Sequence, residues 1–416
     1  GQYFDWPLLT DLMPWQHSGC EFKRTWPICP DRETLKKRWR MLLCSKDRAE
    51  AFHETRDRTI ASPCLQAPPN GNGEKSLKAL PPNAPEPPIL RYAYRSFDRQ
   101  WILADNRLGD YLRPALWYSR GPRQVFLASS VVLELGAGAA IMCSSHVPDR
   151  HYFAGRGGKD ILPLYRRSDA TEPNILPGLL DLLTGTYNRK VSPEDLLAYL
   201  YGILAQPAFT GHYEKELGTR ELRVPITKDA GLFTKVCRVG KRLLWLHTYG
   251  ERFVPKGKNS GQIPRGKARC IKAVPGKPDG YPESFHYEES TRTVHVGEGE
   301  FQPVLPDVYE FEVSGLKVVQ SWLKYRMKKG AGRKSSPLDD IRPECWTGEF
   351  TTELLELLWV LEATVAGYPE QANLLEAVCE GPCFSAEELP PVRPELRKPP
   401  SLRSMERTLF DDPALE

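Results

Sequence analysis

The chain has 416 residues and a mass of 47.2 kDa, with 40% hydrophobic residues, 26% charged residues and a formal net charge of +4. At roughly 100–200 residues per domain, that length corresponds to about two to three domains and a sizeable core. Mean hydropathy is −0.47, and no stretch approaches the ~20 apolar residues a spanning helix needs, which excludes a helical membrane protein.

The chain opens Gly1-Gln2-Tyr3-Phe4, with no Met and no basic segment before an apolar one. No secretory signal is visible, and the sequence reads as a piece cut from a longer polypeptide. An aromatic, irregular stretch from Trp6 to Pro27 precedes a helix. Asp31 is its expected N-cap, and Leu35, Trp39, Leu42 and Leu43 recur at helical spacing, with Lys36, Lys37, Arg38 and Arg40 on the opposite face. Residues 1–60 thus form a small helical lead-in. Residues 61–89 hold eight prolines and Gly71-Asn72-Gly73, the composition of an extended linker or long loop.

From Leu90 the pattern becomes short and strand-like: Arg91–Arg95, Gln100–Leu103, Gln124–Leu127 and Ile141–Cys143, separated by turn residues. Arg95 and Asp98 are expected to pair across a tight bend, with Phe97 and Trp101 packing inward. Helical spacing takes over from Pro177 to Tyr249. Ser192-Pro193-Glu194-Asp195 marks a helix start, because Ser caps, Pro fits the first turn and an acid sits three residues after the cap. A second helix is predicted from about Asp229 to Tyr249. Residues 285–287 and 294–296 read as a hairpin, and Tyr309–Val313 as a strand. Ser314 is expected to cap a helix through Met327, and Thr351 or Thr352 to open a last apolar helix. Residues 381–416 hold seven prolines and read as a weakly ordered tail. The predicted fold class is α+β, with a β-rich recognition portion over 90–380 and helical packing units inside it.

Ten cysteines are too few for a disulfide scaffold and show no zinc spacing; Cys379 and Cys383 are the nearest pair. Reduced thiols in a cytoplasmic protein are expected. The eight histidines are scattered without ligand spacing, so neither a metal nor a catalytic residue is assigned. Val132-Leu133-Glu134-Leu135-Gly136-Ala137-Gly138 resembles the loop with which Rossmann-type methyltransferases hold S-adenosylmethionine. Too few residues follow Gly138 for the crossover helix and the ribose-binding acid, which favours a glycine-rich connection.

Charge is segregated. Arg252–Pro278 carries eight Lys or Arg and no acid until Asp279, and Val313–Leu338 carries seven and no acid. Two such runs favour a phosphate-binding surface over a merely solvated one. The candidate DNA contacts are Arg99, Lys159, Lys256, Lys258, Arg265, Lys267, Arg326, Lys328, Lys329, Arg333 and Lys334.

Tyr94-Arg95-Ser96-Phe97-Asp98 resembles the Tyr-Arg-Pro-Phe-Asp signature that opens the target recognition domain of many adenine DNA methyltransferases, with Ser96 in the Pro position. Other segments resemble the C-terminal specificity domain of type ISP restriction-modification enzymes. They are Trp15–Gly19 with Arg24–Pro27, His146–Asp149, Gly157–Asp160 with Pro163–Tyr165, Glu312–Leu323, and Pro337–Pro343, collinear over roughly residues 1–380. The resemblance implies sequence-specific recognition of double-stranded DNA for an adenine methyltransferase, with residues 1–60 as the end of that methyltransferase. It also implies methyltransferase and translocase domains as partners, in the same or an adjacent polypeptide. S-adenosylmethionine and ATP with Mg would bind those domains, and no cofactor is expected in this chain. Two rival readings remain: a stand-alone methyltransferase using Glu134–Gly138, and a structural adaptor docking through the apolar helix at 352–366.

Overall fold

A computed structural model describes residues 2–71, 75–130, 133–154, 161–330, 332 and 334–401. The fold is α+β, as expected: small antiparallel sheets alternate with helices around one buried cluster that reaches from Tyr3 to Phe384. Trp6, Trp15, Trp26 and Trp39 of the lead-in are all within that cluster.

Strand β1 (Ile28–Cys29) leads into helix α1 (Arg32–Cys44), and Asp31 caps it by accepting from the Thr34 N–H at 2.7 Å. Arg38 is not on a polar face. It is buried, and its guanidinium donates to the carbonyls of Trp26, Ile28 and Ile341. The proline-rich segment is held down at several points. Asn106 donates to the carbonyls of Leu65 and Ala67, and Arg48 to those of Leu77 and Leu80.

Strands β2 (Ile89–Arg95) and β3 (Asp98–Leu103) form a hairpin, with β1 on the far side of β3. Phe97, with φ +63°, makes the turn and is buried as expected. Arg95 and Asp98 face each other in the strand register across that turn, but their side chains form no ion pair. Residues 147–149 run beside β2 and bring Asp149 to within 2.9 Å of Arg95, while Asp98 turns inward to Arg326 at 2.8 Å. Trp101 is only partly buried, stacked between Arg32 and Arg91. Strands β4 (Phe126–Ala128), β5 (Met142–Ser144) and β6 (Ile161–Pro163) make a second, buried sheet in the order β5-β4-β6.

Helix α2 (Leu179–Tyr187) precedes α3 (Pro193–Leu204), which begins at the predicted Ser192. The cap is reciprocal: the Asp195 N–H donates to Ser192 Oγ at 3.0 Å, and the Ser192 N–H to Asp195 Oδ2 at 3.2 Å. Helix α4 (Ala230–His247) crosses α3 closely through Gly240, where a Cβ would lie 1.7 Å from the Ala198 carbonyl oxygen. Strands β7 (Arg269–Lys272), β8 (Phe285–Glu288), β9 (Thr293–Val296) and β10 (Gly299–Gln302) form a third sheet, ordered β7-β10-β9-β8. The predicted hairpin is β8–β9.

Tyr309 ends a short helix (Pro306–Tyr309) rather than starting a strand. Strands β11 (Glu312–Val313) and β12 (Leu316–Lys317) pair around Ser314-Gly315. Ser314 therefore caps no helix. Its φ of +47° and that of Gly315, +87°, make a two-residue hairpin turn with both central residues left-handed. Helix α5 (Val318–Lys324) follows. The last helix, α6 (Gly348–Glu380), starts earlier than expected. Thr347 caps it by accepting from the Phe350 N–H, and it runs 33 residues through Pro369. Residues 382–401 lie back on the body. The Phe384 N–H donates to the Ile226 carbonyl and the Lys228 N–H to the Pro382 carbonyl, and Arg166 donates to the carbonyls of Leu396 and Lys398.

Candidate nucleic-acid interface

The two basic runs lie at opposite edges of the third sheet. The first run contains β7, one edge strand. The second touches the approach to β8, the other edge, where the Lys328 N–H donates to the Pro282 carbonyl at 2.8 Å. The foot of the first loop is fastened to α6. Glu362 accepts from the backbone N–H groups of Lys267 and Ala268 at 2.6 and 2.9 Å, and Trp359 Nε1 donates to the Ala268 carbonyl at 2.9 Å. Arg265 lies over the Trp359 ring, 5.6 Å from its centroid.

The predicted contacts divide into several groups. Lys256, Lys258, Arg265, Lys267 and Lys329 are exposed and make no ion pair with a described residue. Lys328 and Lys334 are exposed but partnered, by Glu283 at 3.1 Å and Asp340 at 2.7 Å. A run free of acids in sequence is thus partly neutralised in space by acids from other segments. Lys317 likewise meets Glu310 and Glu312. Arg99 stacks on Tyr249 at 3.7 Å and faces Glu356 at 3.3 Å, half hidden from solvent. Lys159 and Arg333 lie outside the described residues.

Arg326 is a correction. Its side chain is 0% exposed. The guanidinium pairs with Asp98 at 2.8 Å, donates to the Trp322 carbonyl at 3.0 Å and stacks on the Trp322 indole at 3.7 Å. Burying that charge requires the carboxylate it meets, so Arg326 belongs to the core and not to the surface. Arg252, inside the first run, is also structural: it donates to the carbonyls of Gln124 and Gly121.

Sequence reasoning missed a second basic feature. A groove of about 790 Å³ opens where the first run leaves α4, lined by Arg123, Arg238, Lys241, Arg242, Trp245 and Phe253 among others. Lys241 is paired with Asp195 at 2.6 Å, whereas Arg242 makes no ion pair with a described residue. The spacing of Lys235, Arg238 and Arg242 on one predicted helix was the available signal. Beside the groove, burial pushes the Glu251 carboxyl up, but hydrogen bonds from His146 and Ser145 and the Arg99 charge outweigh it and hold the group at about 2. Glu251 is therefore a fixed anion that holds Arg99 and His146.

The Glu134–Gly138 loop is spent on the chain's own Ser314 turn. The Gly136 N–H donates to Ser314 Oγ at 2.8 Å, and the Ser314 N–H to the Ala137 carbonyl at 2.7 Å. At Gly138, φ is +98° and a Cβ would lie 2.1 Å from the Glu312 carbonyl oxygen. These glycines admit the β11–β12 hairpin, which is the connection reading. The apolar face offered for an adaptor is likewise occupied, since Leu354, Leu357, Leu358 and Leu361 of α6 are buried against the rest of the chain. Among the described residues no three His, Cys, Asp or Glu side chains are placed to hold a metal, and no helix is long and apolar enough to cross a membrane.

The model of the Type ISP C-terminal specificity domain matches residues 11–357. The chain belongs to that family. Three solved structures share the fold. A cryoEM structure of a DrdV–DNA complex gives a TM-score of 0.57 at 15% identity, covering 89% of this chain and 36% of that one. A nuclease-deletion mutant of the Type ISP restriction-modification enzyme LlaGI, in complex with a DNA substrate mimic, gives 0.53 at 17% identity, covering 92% and 29%. The ATP-dependent Type ISP restriction-modification enzyme LlaBIII, bound to DNA, gives 0.56 at 15% identity, covering 89% and 23%. The chain therefore spans 23 to 36% of the length of these proteins. Comparison with curated protein sequences finds no match.

Proposed function

We propose that this chain recognises a specific sequence in double-stranded DNA on behalf of an adenine methyltransferase in a type ISP restriction-modification system. The observation that carries the reading is the family match over residues 11–357, joined to two basic runs at opposite edges of one sheet. Lys256, Lys258, Arg265, Lys267 and Lys329 contact phosphates and set register, while polar side chains between the runs read base edges. Catalysis, S-adenosylmethionine and ATP with Mg belong to the methyltransferase and translocase domains that complete such enzymes. The reading places the chain with the DNA, in the cytoplasm.

The test is duplex affinity as a function of salt. Five phosphate contacts give a slope of roughly −4 to −5, at about −0.9 per phosphate. Replacing Lys256, Lys258 and Lys329 together with Ala flattens it by about two to three units. An unchanged slope and affinity removes both loops from the interface.

A further inference from the structure

The third sheet has two unlike faces. Val294, Val296 and Phe301 are 0% exposed and turn toward the core, so the residues alternating with them turn the other way. The strand registers set His286, His295, Glu300 and Lys272 opposite one another, in one row across β8, β9, β10 and β7. Among the described residues neither Glu300 nor Lys272 makes an ion pair. The row is also pre-arranged. The His286 and His295 rings stack with centroids 4.4 Å apart and planes 10° from parallel, and His295 Nε2 meets Glu288 at 3.3 Å. In the next row the Thr293 hydroxyl donates to Gln302 Oε1 at 2.9 Å, which leaves the Gln302 amide N–H groups for another acceptor. Side chains held in this way lose little freedom on meeting a partner.

This polar face lies between the two basic runs. The first run includes the edge strand β7, and the second meets the approach to β8 through the Lys328 N–H bond to Pro282. Lys267 and Lys329, exposed and without an ion pair to a described residue, stand at the two edges. Cations on both borders of a polar floor complement a surface with a polar floor and two anionic borders. A groove of duplex DNA is such a surface, with base edges between two phosphate strands. Neighbouring strands lie about 4.8 Å apart, so β8 to β10 spans about 10 Å, within a major groove about 12 Å wide.

We propose that this face of the third sheet enters the major groove of duplex DNA and that His286, Glu300 and Gln302 read base edges there. The assignment rests on the DNA recognition proposed above and names the side chains that give it sequence preference. Glu300 accepts from a base amino group and repels an edge that presents an acceptor at that point, so it selects by exclusion as well as by bonding. The His286 imidazole and the Gln302 amide bond to purine edges. His295 and Glu288 are positioning residues: they hold the His286 ring at its angle.

Selection from a randomised duplex pool, run with the full chain and with its His286→Ala and Glu300→Gln variants, tests the face. Each variant is expected to lose about tenfold or more of the discrimination at one position of the selected motif, a different position for each. Both variants keep the salt slope and the scrambled-duplex affinity of the unsubstituted chain, because neither side chain holds a phosphate. Thermal unfolding at an unchanged Tm shows that the sheet is intact in both. A motif retained in full by both variants overturns the proposal, and so does an equal loss of cognate and scrambled affinity. An unsubstituted chain that binds duplex without any motif refutes sequence recognition itself, and this assignment with it.

Discussion

Replacing Arg326 with Met removes a buried charge and leaves its partners behind. Asp98, 2% exposed, loses a hydrogen bond of 2.8 Å and, among the described residues, keeps the Gln100 amide at 2.9 Å as its side-chain partner. Glu353, 3.7 Å from the same guanidinium, keeps Arg91. Breaking one side of a buried pair costs about 3–5 kcal/mol, because the remaining charge is left uncompensated. At about 2.1 cal/mol/K per residue, unfolding entropy for a chain of this length is roughly 0.9 kcal/mol/K, so Tm falls by about 3–6 °C. Adding Asp98→Asn to Arg326→Met recovers part of the loss, since no unpaired carboxylate remains. Calorimetry of the two single variants and the double variant closes the cycle. A single variant with unchanged Tm and a flatter salt slope for DNA refutes the reasoning and returns Arg326 to the surface.

Other outcomes follow from the same packing. Ser192→Ala costs about 1 kcal/mol in chemical denaturation, because the Asp195 N–H loses its acceptor; an unchanged midpoint means the cap does not hold α3. Gly240→Ala forces α3 and α4 apart and destabilises by about 1–3 kcal/mol, read by the same method. Burial holds the His247 imidazole at about 3, against an ordinary value of 6.5. The unfolded chain takes up that proton below about pH 6.5 and the folded chain does not, so His247 lowers stability progressively from pH 6.5 toward 3. His247→Gln makes the acid limb of a stability–pH curve shallower by about one proton; an identical limb shows that His247 protonates freely in the folded state.

Local chemistry made part of this fold legible. Asp31 and Ser192 each cap the helix assigned to them, because an N-cap is decided by a side chain and a backbone N–H three residues away. Ser314 failed for the same reason in reverse: Ser before Gly also makes a two-residue turn, and the pairing of Val313 with Leu316 decided between them. Thr347 caps α6 rather than Thr351 or Thr352, because three threonines within little more than one turn present the same local signal. Arg326 was unreadable. It sits among lysines in sequence, and only Asp98, 228 residues away, makes it a core residue. The groove along α4 escaped notice because its basic residues alternate with the apolar face that packs on α3. The family motifs were the strongest signal, since the family model matches residues 11–357 where composition alone gave only two basic stretches.

Selection from a randomised duplex pool tests the central claim most directly. The unsubstituted chain is incubated with the pool at fixed, near-physiological salt, and bound duplexes are recovered and sequenced over successive rounds. Sequence-specific recognition predicts enrichment of one short motif, bound at least about 10³-fold more tightly than scrambled duplex. Lys256→Ala with Lys258→Ala lowers affinity for both while leaving the motif unchanged. Binding without any enriched motif, at equal affinity for every duplex, contradicts the account.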